Sequence, residues 1–241
     1  MNEQTFYKFA IDEKKEISLK IDEGVFTPTG TTKVLFKAVL EKINKPEKML
    51  DLGCGCGVMG IALQQVGLVK ELLYASDLSE AAVVCTLENA SKYKCPIVAK
   101  TGSLFNPWLG EKFDYIVDDV SGISDEIAKI SPWFANVPCN SGLDGSSLVV
   151  QVIEEASNYL TPGGRLFFPI ISFSNVDKIK SIAQRNFKHV ERVAHEEWPL
   201  PKEMMKHIPL LRNLQAKGCV QITEKFGLVL WYTDVYIAYN Y

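Results

Sequence analysis

A chain of 241 residues with 47% hydrophobic content can bury one large core, and a single domain spanning 1–241 is expected. Its 26 Lys and Arg against 29 Asp and Glu leave a formal net charge of −3, so charge does not indicate nucleic acid or an anionic membrane as partner. Cysteines at 54, 56, 85, 95, 139 and 219 form no C-x-x-C pair or regular framework, and His189, His195 and His207 lack metal spacing. Reduced thiols and no metal site are expected.

The first residues, Met1-Asn2-Glu3-Gln4, carry no basic or apolar leader pattern, and no apolar run approaches membrane length. A cytoplasmic protein is expected. Residues 6–11 and 17–21 alternate in polarity around Asp12-Glu13-Lys14-Lys15 and predict an N-terminal β-hairpin within 1–24. The loop from Gly24 to Thr32 leads into a helix over 33–43, with Val34, Leu35, Ala38 and Val39 on its buried side.

The stretch 48–60 organises the rest of the chain. A short apolar strand closes on Asp51, Gly53, Gly55 and Gly57 alternate with Cys54 and Cys56, and a helix-compatible run covers 58–66. Such glycines let the backbone approach a ligand closely, with a helix N-terminus turned toward it. A second strand over 71–74 ends near Asp77, twenty residues past Gly57, where nucleotide-binding βαβ units place the acid that grips a ribose. Gly55, Gly57 and Gly60 also satisfy G-x-G-x-x-G, but that spacing alone is a weak signal. Asp51, Asp77, Asp118 and Asp119 all sit at strand ends, and an acidic rim repels a pyrophosphate. S-adenosyl-L-methionine carries a sulfonium, an ammonium and no phosphate, so acid favours it over a nicotinamide dinucleotide.

Asp51-Leu52-Gly53-Cys54-Gly55-Cys56-Gly57 resembles motif I of class I S-adenosylmethionine-dependent methyltransferases, and Asp77-Leu78-Ser79 resembles the acidic motif after their second strand. The resemblance implies a Rossmann-like three-layer α/β sandwich, with a seven-stranded, mostly parallel sheet and an antiparallel last strand. It implies cofactor contacts at Asp51, Gly53, Cys54, Gly55, Gly57, Asp77 and Leu78. Val25, Phe26, Pro28 and Thr32 match a V-F-x-P-x-x-x-T segment of the release-factor glutamine methyltransferase (HemK-type) group, which lies over the methionine end of the cofactor. Thr29 and Thr31 stand where that group has Arg and an acid. The residue pattern alone is equally compatible with a hydrophobic staple and N-cap.

A helix is predicted over 80–93, with Ala81, Val84, Leu87 and Ala90 facing the sheet, and a third strand over 96–99. Thr101-Gly102-Ser103-Leu104-Phe105 follows, where the resembled group has G-D-L-F. Ser103 replaces the acid, and Ser103 and Leu104 are expected beside adenine; one of Leu104 and Phe105 is expected in the core. The fourth strand, 113–117, exits into Asp119-Val120-Ser121-Gly122, where the group reads N-P-P-Y. Asp119 keeps an acceptor in the first position, but both prolines and the aromatic platform are replaced. Asp119 is the catalytic candidate, orienting the methyl acceptor or taking its proton; the competing reading is a hydrogen bond that holds the following loop. Asp118 is expected to stabilise that loop.

Residues 123–133 predict a helix or lid. Gly142, Asp144 and Gly145 match the G-G-x-D-G-L segment of the same group, with Asp144 expected to cap a helix over 147–160. Thr161-Pro162-Gly163-Gly164-Arg165 predicts a turn into a strand over 166–171, followed by a helix over 176–186, a strand over 190–194 and a final strand over 228–239. The long link 196–226 has apolar residues at helical spacing interrupted by Pro209. It predicts a helix pair on the core, an acceptor pocket or a dimer face. The reading is a methyltransferase with an unassigned acceptor, protein, RNA or small molecule. A non-catalytic methyltransferase-like subunit and an NAD(P)-dependent oxidoreductase are the alternatives.

Overall fold

The computed structural model describes residues 5–135 and 137–241. Strands β1 (Thr5–Ala10) and β2 (Glu16–Ile21) pair antiparallel as the expected hairpin. The chain continues through α1 (Gly30–Lys42), β3 (Met49–Leu52), α2 (Val58–Gln65), β4 (Leu73–Asp77), α3 (Glu80–Lys92), β5 (Ile97–Thr101) and β6 (Phe113–Asp118). It then runs through α4 (Asp125–Ile130), α5 (Ser147–Ala156), β7 (Leu160–Ile171), α6 (Val176–Asn186), β8 (His189–Pro199), α7 (Ile208–Ala216), β9 (Thr223–Lys225) and β10 (Leu228–Tyr239). No helix among the described residues is long and apolar enough to cross a membrane.

The main sheet runs β5-β4-β3-β6-β7-β10-β8, and β9 adds a short eighth strand against β10. Strands β3 to β7 pair in parallel, and β10 inserts antiparallel between β7 and β8. The seven-stranded order with its antiparallel last strand is therefore present. From β3 the order runs to β4 on one side and to β6 on the other, and the crevice at such a reversal is where open α/β sheets bind ligands.

Two apolar layers cover the sheet because successive residues of a strand face opposite ways. Leu50 and Leu52 of β3 join α5 and α6 on one side. Met49 joins α1, α2, α3 and the hairpin residues Phe9, Ile17 and Leu19 on the other. Asp51 shares the Met49 face and is directed under α2. A third cluster gathers Ile123, Ile127, Phe173, Met204, Leu211, Leu214 and Trp231 between the 123–130 segment and the 196–226 link.

Several boundaries move. The second strand starts at Leu73 rather than 71, since Glu71 has φ +58°, a left-handed conformation outside the β region. The 123–133 segment is helical only over α4. Helix α5 stops at Ala156, and the 161–165 segment expected as a turn lies inside β7. Its pairing with β6 shifts register there, and Gly163 has φ +85°. The strand expected over 190–194 extends to Pro199, so Trp198 is a strand residue. Pro209 does not interrupt a helix: it sits in the first turn of α7, where its missing N–H has no intrahelical partner to lose.

Candidate functional site

The loop after β3 crosses the end of β4. Gly53 and Cys54 both donate backbone N–H bonds to the Ser76 carbonyl, at 2.9 and 3.0 Å. Gly53 has φ +80°, and a Cβ there would sit 3.0 Å from the Val120 backbone nitrogen, so the β3 and β6 exits close up only around a glycine. Helix α3 fixes the loop from beneath: the Thr86 hydroxyl donates to the Gly55 carbonyl at 2.9 Å, and the Asn89 side-chain amide donates to the Cys56 carbonyl at 2.9 Å. Gly55 differs from its neighbours. Its φ is +54°, and a Cβ there would meet nothing nearer than the Phe26 carbonyl at 4.0 Å, so its backbone lies bare against open space.

That space is a cavity of about 240 Å³. Thr32, Gly53, Cys54, Gly55, Asp77, Leu78, Ser103, Leu104 and Asp119 all line it. Asp77 ties its walls together: one carboxylate oxygen accepts the Gly55 N–H and the other the Ser79 N–H, both at 2.9 Å. Leu104 is the wall residue and Phe105 the core one, fully buried and stacked on Tyr159 with ring centroids 4.5 Å apart. No Lys, Arg or His is among the described residues lining the cavity; its acidic side chains are Asp77 and Asp119.

Two expected contacts do not line the cavity. Asp51 is buried on the α2 face of β3, where one oxygen accepts the Gly60 N–H at 2.9 Å and the other has no partner among the described residues. Gly57 is the N-cap of α2 with φ +82°, and a Cβ there would meet Ile61 and Thr86 at 2.9 and 3.0 Å. Both position the loop from behind. The V-F-x-P loop does line the cavity, through Phe26, Pro28, Thr31 and Thr32. Thr29 is the N-cap of α1 but makes no side-chain capping bond, so the staple-and-cap reading accounts for little of this loop.

Asp119 sits on the cavity wall at the β6 exit. Its backbone N–H donates to the Leu52 carbonyl at 3.0 Å, and a carboxylate oxygen accepts the Thr32 hydroxyl at 2.9 Å. Burial pushes its carboxyl well above the usual range, the Thr32 hydroxyl opposes this, and the charges of Asp51 and Asp118 add to it. Asp118 holds the following loop, as expected: it accepts the Val120 N–H at 3.1 Å, and its second oxygen has no partner among the described residues. Asp144 lies away from the cavity. It accepts the backbone N–H and hydroxyl of Ser146, the N-cap of α5, together with Asn175 and Lys178 at the start of α6. Asp144 therefore joins two helix starts rather than capping one directly.

Burial pushes Asp51 and Asp118 up to about 7, each partly offset by one backbone N–H. An unfolded Asp titrates near about 3.9. Between these values the folded chain holds protons that the unfolded chain has released, so stability is present in full below about pH 4 and is lost as pH rises toward about 7. The unliganded protein is expected to gain on the order of 2 kcal/mol per group between about pH 7 and about pH 5. Urea midpoints across that range should show the gain, and Asp118→Asn should remove its share of the slope.

Apart from Ser121, the residues at the other end of the cavity were not singled out in the sequence as site residues. Ser121, Trp133, Phe134, Asn140, Ile171 and Trp231 come from four separate segments. Phe26 meets Phe134 at 4.9 Å between centroids, closing the N-terminal loop against the 131–140 segment.

A glycine elbow over an acid-closed strand, at the order reversal of a mostly parallel sheet with an antiparallel insertion, defines the class I methyltransferase fold. Residues 16–119 match the family model described as methyltransferase small domain. Release factor glutamine methyltransferase of Thermodesulfovibrio yellowstonii is 29% identical over 164 residues, covering 64% of this chain and 58% of the relative. Ribosomal protein L11 methyltransferase of Lactobacillus johnsonii is 22% identical, covering 75% of this chain and 50% of the relative. The chain thus spans between half and three-fifths of the length of these relatives. Among solved structures, a T. Thermophilus 16S rRNA methyltransferase in complex with AdoMet and guanosine superposes with a TM-score of 0.63 at 15% identity, covering 98% of this chain and 50% of that one. A ribosomal protein L11 methylase from Lactobacillus delbrueckii subsp. bulgaricus gives 0.56 at 17% identity, covering 92% and 84%. At these identities the structures share the fold.

Proposed function

We propose that this chain is an S-adenosyl-L-methionine-dependent methyltransferase whose acceptor enters beside Asp119. One observation carries the reading. The cavity presents bare glycine backbone at Gly55, the Asp77 carboxylate, the acid Asp119 and no cation among its described lining residues. A diphosphate in such a place would meet like charge with nothing to offset it, whereas a sulfonium nucleoside is favoured there. The residues fit this group: Gly53, Cys54, Gly55 and Asp77 would hold its nucleoside and amino-acid portions, Leu78, Ser103 and Leu104 its adenine, and Thr32 and Asp119 its reacting end. When bound it supplies an electrophilic methyl. The chain supplies position, which can contribute on the order of 7–11 kcal/mol of barrier reduction, and Asp119 accepts a proton from the acceptor or orients it. Names among the relatives point to protein substrates, and cytoplasmic residence accords with them.

The test is calorimetric titration with S-adenosylhomocysteine, followed by transfer of labelled methyl into cell extract. Gly55→Ala places a Cβ in the open cavity, where it meets nothing nearer than the Phe26 carbonyl at 4.0 Å, at the cost of left-handed strain of about 1 kcal/mol, so it is expected to weaken binding at least tenfold while the fold persists. Unchanged binding by that variant, or no binding by the parent protein, would overturn the reading.

A further inference from the structure

The acids around the glycine elbow differ in what their oxygens meet. Asp77 directs both oxygens at main-chain N–H groups, those of Gly55 and Ser79. Asp51 and Asp118 are buried behind the cavity wall, out of reach of anything seated in the cavity. Asp119 lines the cavity and is partly exposed, so a ligand can touch it. One of its oxygens accepts the Thr32 hydroxyl at 2.9 Å, and the other has no hydrogen-bond partner among the described residues.

Nothing nearby offsets a charge on this group. The Thr32 hydroxyl of α1, Asp51 of β3 and Asp118 of β6 bear on it from the packed elements, with Asp77 on the same cavity. No cation is among the described lining residues. A carboxylate so placed is poorly hydrated and meets only other acids, which favours its neutral form. Burial, the largest influence, holds the Asp119 carboxyl well above the usual range, so the empty cavity keeps the proton.

We infer that Asp119 is the residue that tells the methyl donor from its demethylated product, by exchanging its own proton for the positive charge of the sulfonium. A fixed positive charge in the cavity supplies the partner that Asp119 lacks, so the residue ionises as S-adenosyl-L-methionine binds and its proton goes to solvent. S-adenosylhomocysteine has no sulfonium, leaves Asp119 protonated and binds without the exchange. On transfer the S–CH3 bond breaks with its electron pair going to sulfur, the lone pair of the acceptor forms the new bond, and the proton of the acceptor passes to Asp119. The product is then neutral at sulfur and Asp119 is neutral beside it, so departure of the product leaves no unpaired carboxylate. The inference rests on the methyltransferase reading for its two ligands.

Calorimetric titration with each ligand, from about pH 5.5 to about pH 7, tests it. The span lies below the α-amino range of about 7.7–8.0, so the amine of the ligands does not titrate. Affinity for S-adenosyl-L-methionine is expected to rise on the order of tenfold per pH unit, levelling off where the empty site has already lost its proton. Affinity for S-adenosylhomocysteine is expected to change less than about threefold over the same span. Buffers of different ionisation enthalpy should report about one proton released with the first ligand and about none with the second. Asp119→Asn cannot ionise and is expected to abolish both effects, whereas Asp118→Asn should keep them. The same pH dependence for both ligands, or proton release that persists in D119N, overturns the proposal, and the first of these is read without any variant. If both ligands bind with one shared dependence, the functional reading stands and only the proton exchange falls. If neither binds, the functional reading falls and takes the proposal with it.

Discussion

Asp119→Asn is expected to lower the rate of methyl transfer by about 10²- to 10³-fold while leaving the protein folded. The variant keeps the size of the side chain, and its amide oxygen can still accept the Thr32 hydroxyl that now bonds the carboxylate at 2.9 Å. What it loses is the ability to take a proton. It also removes a carboxylate that burial already disfavours, so its urea midpoint should not fall. The pH dependence separates this from a loop-holding role. Asp119 keeps its proton to a pH well above the usual carboxylate range, because burial outweighs the Thr32 bond. Only the ionised form is a base, so the rate of the unaltered protein should climb with pH as that proton leaves, and the Asn variant should lack the rise. Initial rates of labelled methyl incorporation, taken from about pH 6 to about pH 9, would reveal the limb. Normal transfer by D119N would reduce Asp119 to a tie between β6 and α1.

Gly145→Ala should be among the most destabilising single changes available, at about 3 kcal/mol. Gly145 has φ +67°, and an added Cβ would lie 2.3 Å from the Ser124 nitrogen and 2.4 Å from the Ile123 carbonyl carbon. Both partners are backbone, so no rotamer change relieves the contact. Ile123 is itself a cavity residue, and the Ser124 hydroxyl donates to the Leu143 carbonyl at 2.6 Å, so this wall of the cavity should loosen together with the fold. Gly110→Ala is the matched control. Gly110 has φ +81° but nothing within 4 Å of an added Cβ, and that change should cost only the left-handed strain, about 1 kcal/mol. Urea midpoints of the two variants measure the difference between conformational strain and collision.

The same contrast explains what the residues disclosed unaided. The glycine elbow, the acid at Asp77 and the exit at Asp119 are local in sequence, and each states its conformation through residue type, so this end of the cavity was legible. The motif reading nevertheless grouped Asp51 and Gly57 with the contacts. The two-residue period of β3 places Asp51 on the Met49 face, under α2, and Gly57 is occupied in starting that helix. The alternation was available in the sequence and would have separated them. Trp133 and Trp231 carried no such signal. A tryptophan in an aromatic, β-branched strand reads as an ordinary strand residue, and only the insertion of β10 beside β7 brings position 231 to the 131–140 segment. Pro209 was misread for a comparable reason, since a proline marks a helix start or a break depending on where the helix begins.

Asn89 joins two parts of the molecule that share no strand. Its amide group donates to the carbonyls of Lys20 and Cys56 at 2.9 Å each, and its oxygen accepts the Lys20 N–H at 2.8 Å. These three partners are main chain, and the Cys85 sulfur takes a longer contact from the same amide at 3.6 Å. The ribbon at the front of the protein can therefore drift through many compositions without releasing its grip on the cysteine-bearing bend, because nothing at 20 or 56 specifies the joint. Tyr93 shares the constraint, since its hydroxyl bonds the main chain of Ser18, so a lineage that exchanged Asn89 would keep the ribbon and lose its tie to the bend.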